Sequence, residues 1–227
     1  KGFKYIALVV KCSGTTNTND HISIGNLKYF GHKEGDVIRF PEPNTTLKYP
    51  HVTMTNRAQR GYVVKASSFY STTGNPAYHV FDNNPTGDKW ATEAATNYGN
   101  SNNTYSGSKN LGTNNGGSGT VNGEWLFIEL PNKVKLQQAR IVIHENTNER
   151  PQQFVIYGSN DLTGAWTAVD TTYQSSDFNV TVGTTGKSWT VSTASGSNYY
   201  KYLGIVVTKV SGNNPIIRYY STRLIWC

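Results

Sequence analysis

Glu124-Trp125-Leu126-Phe127-Ile128-Glu129-Leu130, followed by Pro131, is the stretch that decides the fold. It is apolar, rich in aromatic and branched side chains, and stopped by a proline, which is how a buried strand reads. The same character recurs along the chain. Tyr5–Val10, Gly61–Ala66, Ala139–His144, Gln153–Gly158, Ser188–Val191, Tyr202–Val207 and Thr222–Trp226 are further short candidates. Gly, Pro, Asn and Ser separate them, and no window sustains a 3.6-residue apolar period. Many short strands with turns between them predict an all-β sandwich or barrel.

Composition supports that reading and removes others. The 227 residues suffice for one large β domain or two small ones. Charged residues are 15% of the chain, against a usual ~25%, and Asn, Ser, Thr, Gly and Tyr take their place. A helical bundle would need far more Ala, Glu, Leu and Lys. No apolar run approaches the ~20 residues of a membrane span, so membrane insertion is not expected. The start, Lys1-Gly2-Phe3-Lys4, carries neither an initiator Met nor a signal core, as expected of a mature product or a fragment. Net charge is +7, which favours acidic partners. The densest basic cluster is only Asn56-Arg57-Ala58-Gln59-Arg60, so the stripe that marks a nucleic-acid binder is missing.

Two segments resemble each other. Phe3–Val10 reads like Tyr200–Val207, and each leads through a Ser-Gly turn to another aromatic strand. Residues 1–33 are therefore expected to be the closing hairpin of a similar upstream domain. Residues 34–60 are a linker and lead-in segment, where Pro41, Pro43 and Pro50 exclude a helix. Residues 61–227 are the main domain. Cys12 and Cys227 then belong to different domains, and no bridge between them is expected. Residues 97–123 are rich in Asn, Gly and Ser and predict a long surface loop with little apolar area to order it, anchored in part by Tyr98 and Tyr105.

In order along 61–227, five segments resemble the discoidin, or coagulation-factor C-type, domain. They are Val64-Lys65-Ala66-Ser67-Ser68; His79–Asn84 with Trp90; Glu124–Leu130; Pro151–Asp161 with Trp166; and Tyr200–Ile205. The wording of Gly123–Pro131 and Phe154–Asp161 is also similar to modules in proteins of large algal DNA viruses. The resemblance implies a galactose-binding-like jelly-roll β-sandwich that binds ligand through loops at one end. Trp125 and Trp166 read as core aromatics. Trp90 closes a polar loop and suits either core or ligand.

Two loops are candidate sites. In Phe81–Trp90, Asp82, Asn84 and Asp88 offer oxygens of the kind Ca²⁺ takes. The family often holds a structural Ca²⁺ there, with help from an acid near the C-terminus. Here the closing strand, Tyr220-Ser221-Thr222-Arg223-Leu224, has no acid, and an Asx turn at Asp82 is the alternative. The second loop, His144-Glu145-Asn146-Thr147-Asn148-Glu149-Arg150, holds paired donors and acceptors suited to sugar hydroxyls. His144, Glu145, Asn146 and Arg150 are its candidate contacts, and Tyr70, Tyr78, Trp90 and Tyr98 are candidate stacking partners. The alternative is a solvated hairpin with a weak surface ion pair. No catalytic arrangement is promoted. Glu124 and Glu129 point to opposite faces of one strand, and no nucleophile elbow or P-loop occurs.

The expected function is non-catalytic binding of cell-surface carbohydrate or acidic polysaccharide, in a tandem array whose repeated copies add avidity. The setting would be extracellular, a cell surface or a virion surface, with neighbouring domains of the array as further partners. The rival is a structural module for virion or surface assembly, which would show a broad apolar patch away from the loop end.

Overall fold

The computed structural model describes residues 48–70, 76–84, 89–93, 96–99, 101–143, 149–179, 186–191 and 198–212, and the backbone of 218–226. The chain divides after Pro41, and every described residue lies in the second part, Glu42–Cys227. The upstream hairpin expected at 1–33 lies outside the described residues.

The strands are β1 (Lys48–Tyr49), β2 (Ala58–Gln59), β3 (Tyr62–Ala66), β4 (Trp90–Ala91), β5 (Glu124–Val134), β6 (Leu136–Ile143), β7 (Pro151–Ser159), β8 (Thr167–Asp170), β9 (Lys187–Thr190), β10 (Tyr200–Val210) and β11 (Arg218–Trp226). They form two sheets. One runs β1-β11-β6-β9, with β4 also on β11; the other runs β2-β3-β5-β10-β7-β8. The named pairings are antiparallel throughout. Consecutive strands β5 and β6, β6 and β7, and β10 and β11 lie in different sheets, so the chain crosses between layers repeatedly. This is the all-β jelly-roll sandwich that the discoidin-like resemblance implied. Short 3₁₀ turns at Ala77–Phe81, Thr96–Tyr98 and Thr113–Asn115 complete the described elements. Among the described residues no helix is long and apolar enough to cross a membrane.

The period-2 rule explains why the central strands read as unbroken apolar runs. Leu126, Ile128 and Leu130 of β5 join Phe154 and Ile156 of β7 and Leu203, Ile205 and Val207 of β10 in the core shared with the other sheet. The alternate positions Trp125, Phe127, Val155, Tyr157 and Val206 form a second apolar cluster with Leu111 and Trp166. The six-stranded sheet is therefore covered on both faces. At the margin of the main core, Phe154, Tyr173, Phe178 and Trp189 meet with ring centroids 4.7–5.6 Å apart. Trp189 Nε1 donates to Asp170 Oδ2 at 2.7 Å, which satisfies its one polar atom.

Three features differ from the sequence expectation. Part of the lead-in segment belongs to the sandwich: Lys48 and Tyr49 pair with Ile225 and Leu224, and Tyr49 and Met54 are buried in the core. Pro131 does not stop β5. Between the pairs Tyr202–Glu129 and Tyr200–Val134 the register shifts, so Pro131 sits in an irregular stretch where its missing N–H costs no ladder bond.

The third difference is the Asn/Gly-rich segment, which is built rather than merely exposed. Leu111 is fully buried and acts as a plug on the outer sheet face. A Cβ on Gly204 would come within 2.6 Å of Leu111 Cδ2, so the glycine makes room for it. Asn110 takes the place of a backbone ladder. Its Nδ2 donates to Thr120 O at 2.8 Å and Asn122 Oδ1 at 3.0 Å, while its Oδ1 accepts from Thr113 N and Thr120 Oγ1. Asn114 Oδ1 accepts from Asn110 N and Trp125 Nε1. Local amide bonding of this kind orders a polar loop without a large apolar area of its own.

The β2–β3 hairpin turns through Arg60 and Gly61, at φ 49° and 84°, the paired left-handed conformation of a type I′ turn. Just before it, His51 Nδ1 and Tyr62 Oη share a hydrogen bond of 2.6 Å. Burial first, and the Arg60 charge second, lower the His51 pKa from its ordinary 6.5.

Two outcomes are expected. Leu111→Ala should cost about 2–4 kcal/mol and loosen the Trp125 surroundings, read by urea denaturation followed through tryptophan fluorescence. For His51 the neutral form is favoured in the folded state, so its contribution is present above about pH 6.5 and declines as pH falls through the folded-state value. Urea midpoints should drop between pH 7 and 5, and His51→Gln should remove that part of the drop.

Candidate functional site at one end of the sandwich

Strand register defines the site. Tyr219 of β11 lies opposite Ile143 of β6 on one side and Trp90 of β4 on the other. Because both neighbours run antiparallel to β11, β4 and β6 point the same way. The segments after Ala91 and after Ile143 therefore leave the sheet at one end, beside the start of β11 at Arg218. The polar loop begins there. His144, Glu145 and Asn146 lie outside the described residues, as does Asp88. Arg150 is partly buried, and its carbonyl accepts from Ser211 N at 3.0 Å, which ties the loop's far side to the end of β10. Glu149 beside it is 1% exposed.

A buried carboxylate underpins this end. Glu124, the first residue of β5, is 1% exposed. Its Oε2 accepts from Ser67 Oγ and, at 2.9 Å, from Ser68 Oγ. Its Oε1 accepts from Lys109 Nζ at 2.8 Å. Ser68 in turn receives Trp90 Nε1 on its carbonyl at 2.9 Å and Glu93 N on its hydroxyl at 3.2 Å. One acid thus joins β5, the end of β3, the exit of β4 and the amide-rich loop. A carboxylate removed from water needs such a set of donors. Within an apolar run, an acid followed by Trp is the sequence signal for it, and the Ala66-Ser67-Ser68 motif supplies its partners. Glu129, the other acid of β5, sits 3.6 Å from Lys201 Nζ.

Two candidate stacking residues are corrected. Trp90 is fully buried and anchored through Nε1, so neither ring face is open to a ligand. Tyr98 is likewise fully buried. Its hydroxyl donates to Val207 O at 2.8 Å and accepts from Glu124 N at 3.2 Å, making it a bolt between β5 and β10. Both rings fill space that the crossing strands leave near Glu124, which sequence order cannot reveal. Tyr70 is partly buried, and its N–H donates to Ala91 O at 2.9 Å. Tyr78 is partly exposed, with its ring centroid 4.5 Å from that of His79. It faces a groove lined also by Arg57, Lys65, Phe69 and Trp125, which the sequence reading did not anticipate.

The Asp82 loop contains an Asx turn. Asp82 Oδ1 accepts from Asn84 N at 2.8 Å, and Asn83 takes φ 61°. Asp82 Oδ2 is 3.8 Å from His79 Nδ1. Of the three candidate Ca²⁺ ligands, Asp82 and Asn84 are described. Among the described residues no three His, Cys, Asp or Glu side chains gather as a metal site.

Replacing the buried acid tests the scaffold. Glu124→Ala should destabilise by about 3 kcal/mol, the lower end for a broken buried pair, because Lys109 can turn toward solvent. Ser68→Ala should cost about 1 kcal/mol. Both are measured by equilibrium urea unfolding, and a loss well under 1 kcal/mol for Glu124→Ala would contradict the role given to it.

No family model matches the chain. No curated protein matches it either. Among solved structures it is similar to the family 32 carbohydrate-binding module of Clostridium perfringens NanJ in complex with galactose, at 14% identity, covering 74% of this chain and 96% of that one, TM-score 0.47. Another family 32 module, CBM32-3 from a family 31 glycoside hydrolase of Clostridium perfringens, is similar at 14% identity over 72% of this chain and 88% of that one, TM-score 0.49. A pectin-binding carbohydrate-binding module is similar at 18% identity over 70% and 86%, TM-score 0.46.

Proposed function

We propose that this chain is a non-catalytic carbohydrate-binding module that takes glycan at the end of the sandwich where β4, β6 and β11 meet. The supporting observation is the register that puts Tyr219 opposite both Ile143 and Trp90. It directs the exits of β4 and β6 to the same side, so polar groups of the 144–150 loop and of Glu93 can converge. His144, Glu145, Asn146 and Arg150 are the proposed contacts. Together they present donors and acceptors in the pairs that sugar hydroxyls require, on a rim fastened by Glu124 beneath it. The module would belong to a larger surface protein, cellular or virion, in which repeated copies add avidity to weak single sites.

The assembly reading calls for a broad apolar surface. Among the described residues the exposed large apolar side chains are Phe69 and Tyr199, on different segments, which does not favour it.

A glycan array probed with the full chain and with His144→Ala and Arg150→Ala tests the proposal. Selective binding to one sugar class should weaken at least about tenfold in each variant, the scale of one or two lost hydrogen bonds. A folded sample that binds no glycan would end this reading. Repeating the array and a thermal melt in EGTA tests Ca²⁺ at Asp82, Asn84 and Asp88. Lower melting temperature on chelation would support the ion, and an unchanged melt would leave the Asx turn as the full account of the loop.

A further inference from the structure

A groove of about 240 Å³ lies along β3 and the Ala77–Phe81 turn. Its position follows from strand lengths. β2 is only two residues long and pairs with Tyr62 and Val63, so among the described residues the rest of β3 has no further strand on that side. Val64 N donates outward to Arg57 O at 2.9 Å, the last bond of that hairpin. Beyond it, the space beside Lys65 and Ala66 is bounded by Phe69 and the turn carrying Tyr78.

The lining has a specific chemistry. Phe69 is 58% exposed, an unusual state for a ring next to a concavity. Tyr78 is partly exposed. Trp125 forms a buried base, stacked on Phe127 at 6.0 Å and 18° and fixed by its bond to Asn114. Two cations complete it. Arg57 is exposed, and Lys65 Nζ sits 5.9 Å from the Phe127 centroid. Among the described residues neither is in an ion pair, whereas Lys109, Lys201 and Lys209 each face a carboxylate. No described lining residue is acidic. Aromatic faces beside two cations with no acid form a site for a small ring that carries negative charge. The volume, just under the ~300 Å³ at which drug-sized sites begin, suits one or two such rings.

We infer that this groove is a second ligand site, separate from the 144–150 rim, and that it takes an anionic sugar residue, a uronate or a sulfated sugar. Phe69 and Tyr78 pack on the apolar face of the pyranose ring, and Arg57 and Lys65 meet its charge. The groove shares no residue with the proposed rim contacts His144, Glu145, Asn146 and Arg150, and Tyr78 belongs to the groove rather than to the stacking role expected at the rim, so either site stands if the other fails.

Isothermal titration calorimetry on the full chain tests this. The anionic probes are tetragalacturonate and a heparin tetrasaccharide, which separate carboxylate from sulfate recognition. Cellotetraose is the neutral control. An anionic probe should bind, more weakly as salt rises, and cellotetraose should bind at least about tenfold less well. The Arg57→Gln/Lys65→Gln double variant should lose about tenfold or more in affinity. Phe69→Ala should lose about three- to tenfold. His144→Ala should bind the anionic probe unchanged. Arg57 and Phe69 are exposed and Lys65 is partly exposed, and an unchanged thermal melt confirms the fold of every variant. Three results would overturn the inference: no binding of either anionic sugar, loss in His144→Ala with the groove variants intact, or tighter binding of an eight-residue oligothymidylate than of both sugars.

Discussion

A strand with two apolar faces has to be covered twice. The core of the six-stranded sheet obeys that constraint, and much of the remaining structure follows from it. The inner face of β5, β7 and β10 is met by the second sheet, and the two layers share one core. Among the described residues no third sheet meets the outer face. Leu111, the Asn110 amide network and Trp166 cover it instead. The price of that solution is a long polar segment wound against the sheet. Its own hydrogen bonds offset the ordering entropy that a loop of this composition would otherwise leave uncompensated.

The cover and the rim are not independent. Lys109 leads into the amide-rich loop and pairs with Glu124, and Glu124 holds the two serines at the end of β3. Those serines fix Trp90 and Glu93, and Trp90 pairs with the start of β11. A single buried carboxylate therefore links the outer cover to the sandwich end where β4 and β6 exit. Ligand-binding loops gain precision when the elements beneath them are rigid. Glu124, Trp90 and Tyr98 are buried, and with Ser67 and Ser68 they supply that rigidity. This division of labour is why Trp90 and Tyr98, which look like sugar platforms in sequence, serve as internal fasteners.

Much of this was legible in the chain. The strands at β3, β5, β6, β7, β9 and β10 coincide with apolar runs, because burial on one or both faces leaves a period-2 or continuous pattern. The core roles of Trp125 and Trp166 were legible too, since large rings inside or beside such runs have little else to do. The Asx turn at Asp82 was visible as the alternative to a cation site. What escaped were features made by residues distant in sequence: the Glu124 cluster, with its partners 15 to 57 positions away, Leu111 over Gly204, and the groove that gathers Arg57, Lys65, Phe69, Tyr78 and Trp125.

Local pattern was enough to set the class of fold, an all-β sandwich, because side-chain periodicity and turn chemistry are local properties. It also placed the polar loop between β6 and β7, and it set a positive charge with few acids. Only the tertiary structure decided which aromatic rings are sealed and which stay exposed, since that depends on how strands from two sheets cross. It alone put the exits of β4 and β6 on one side, because register between distant strands is a pairing property. And it alone opened the groove beside β3, because among the described residues a two-residue β2 leaves the far half of β3 unpaired on that side.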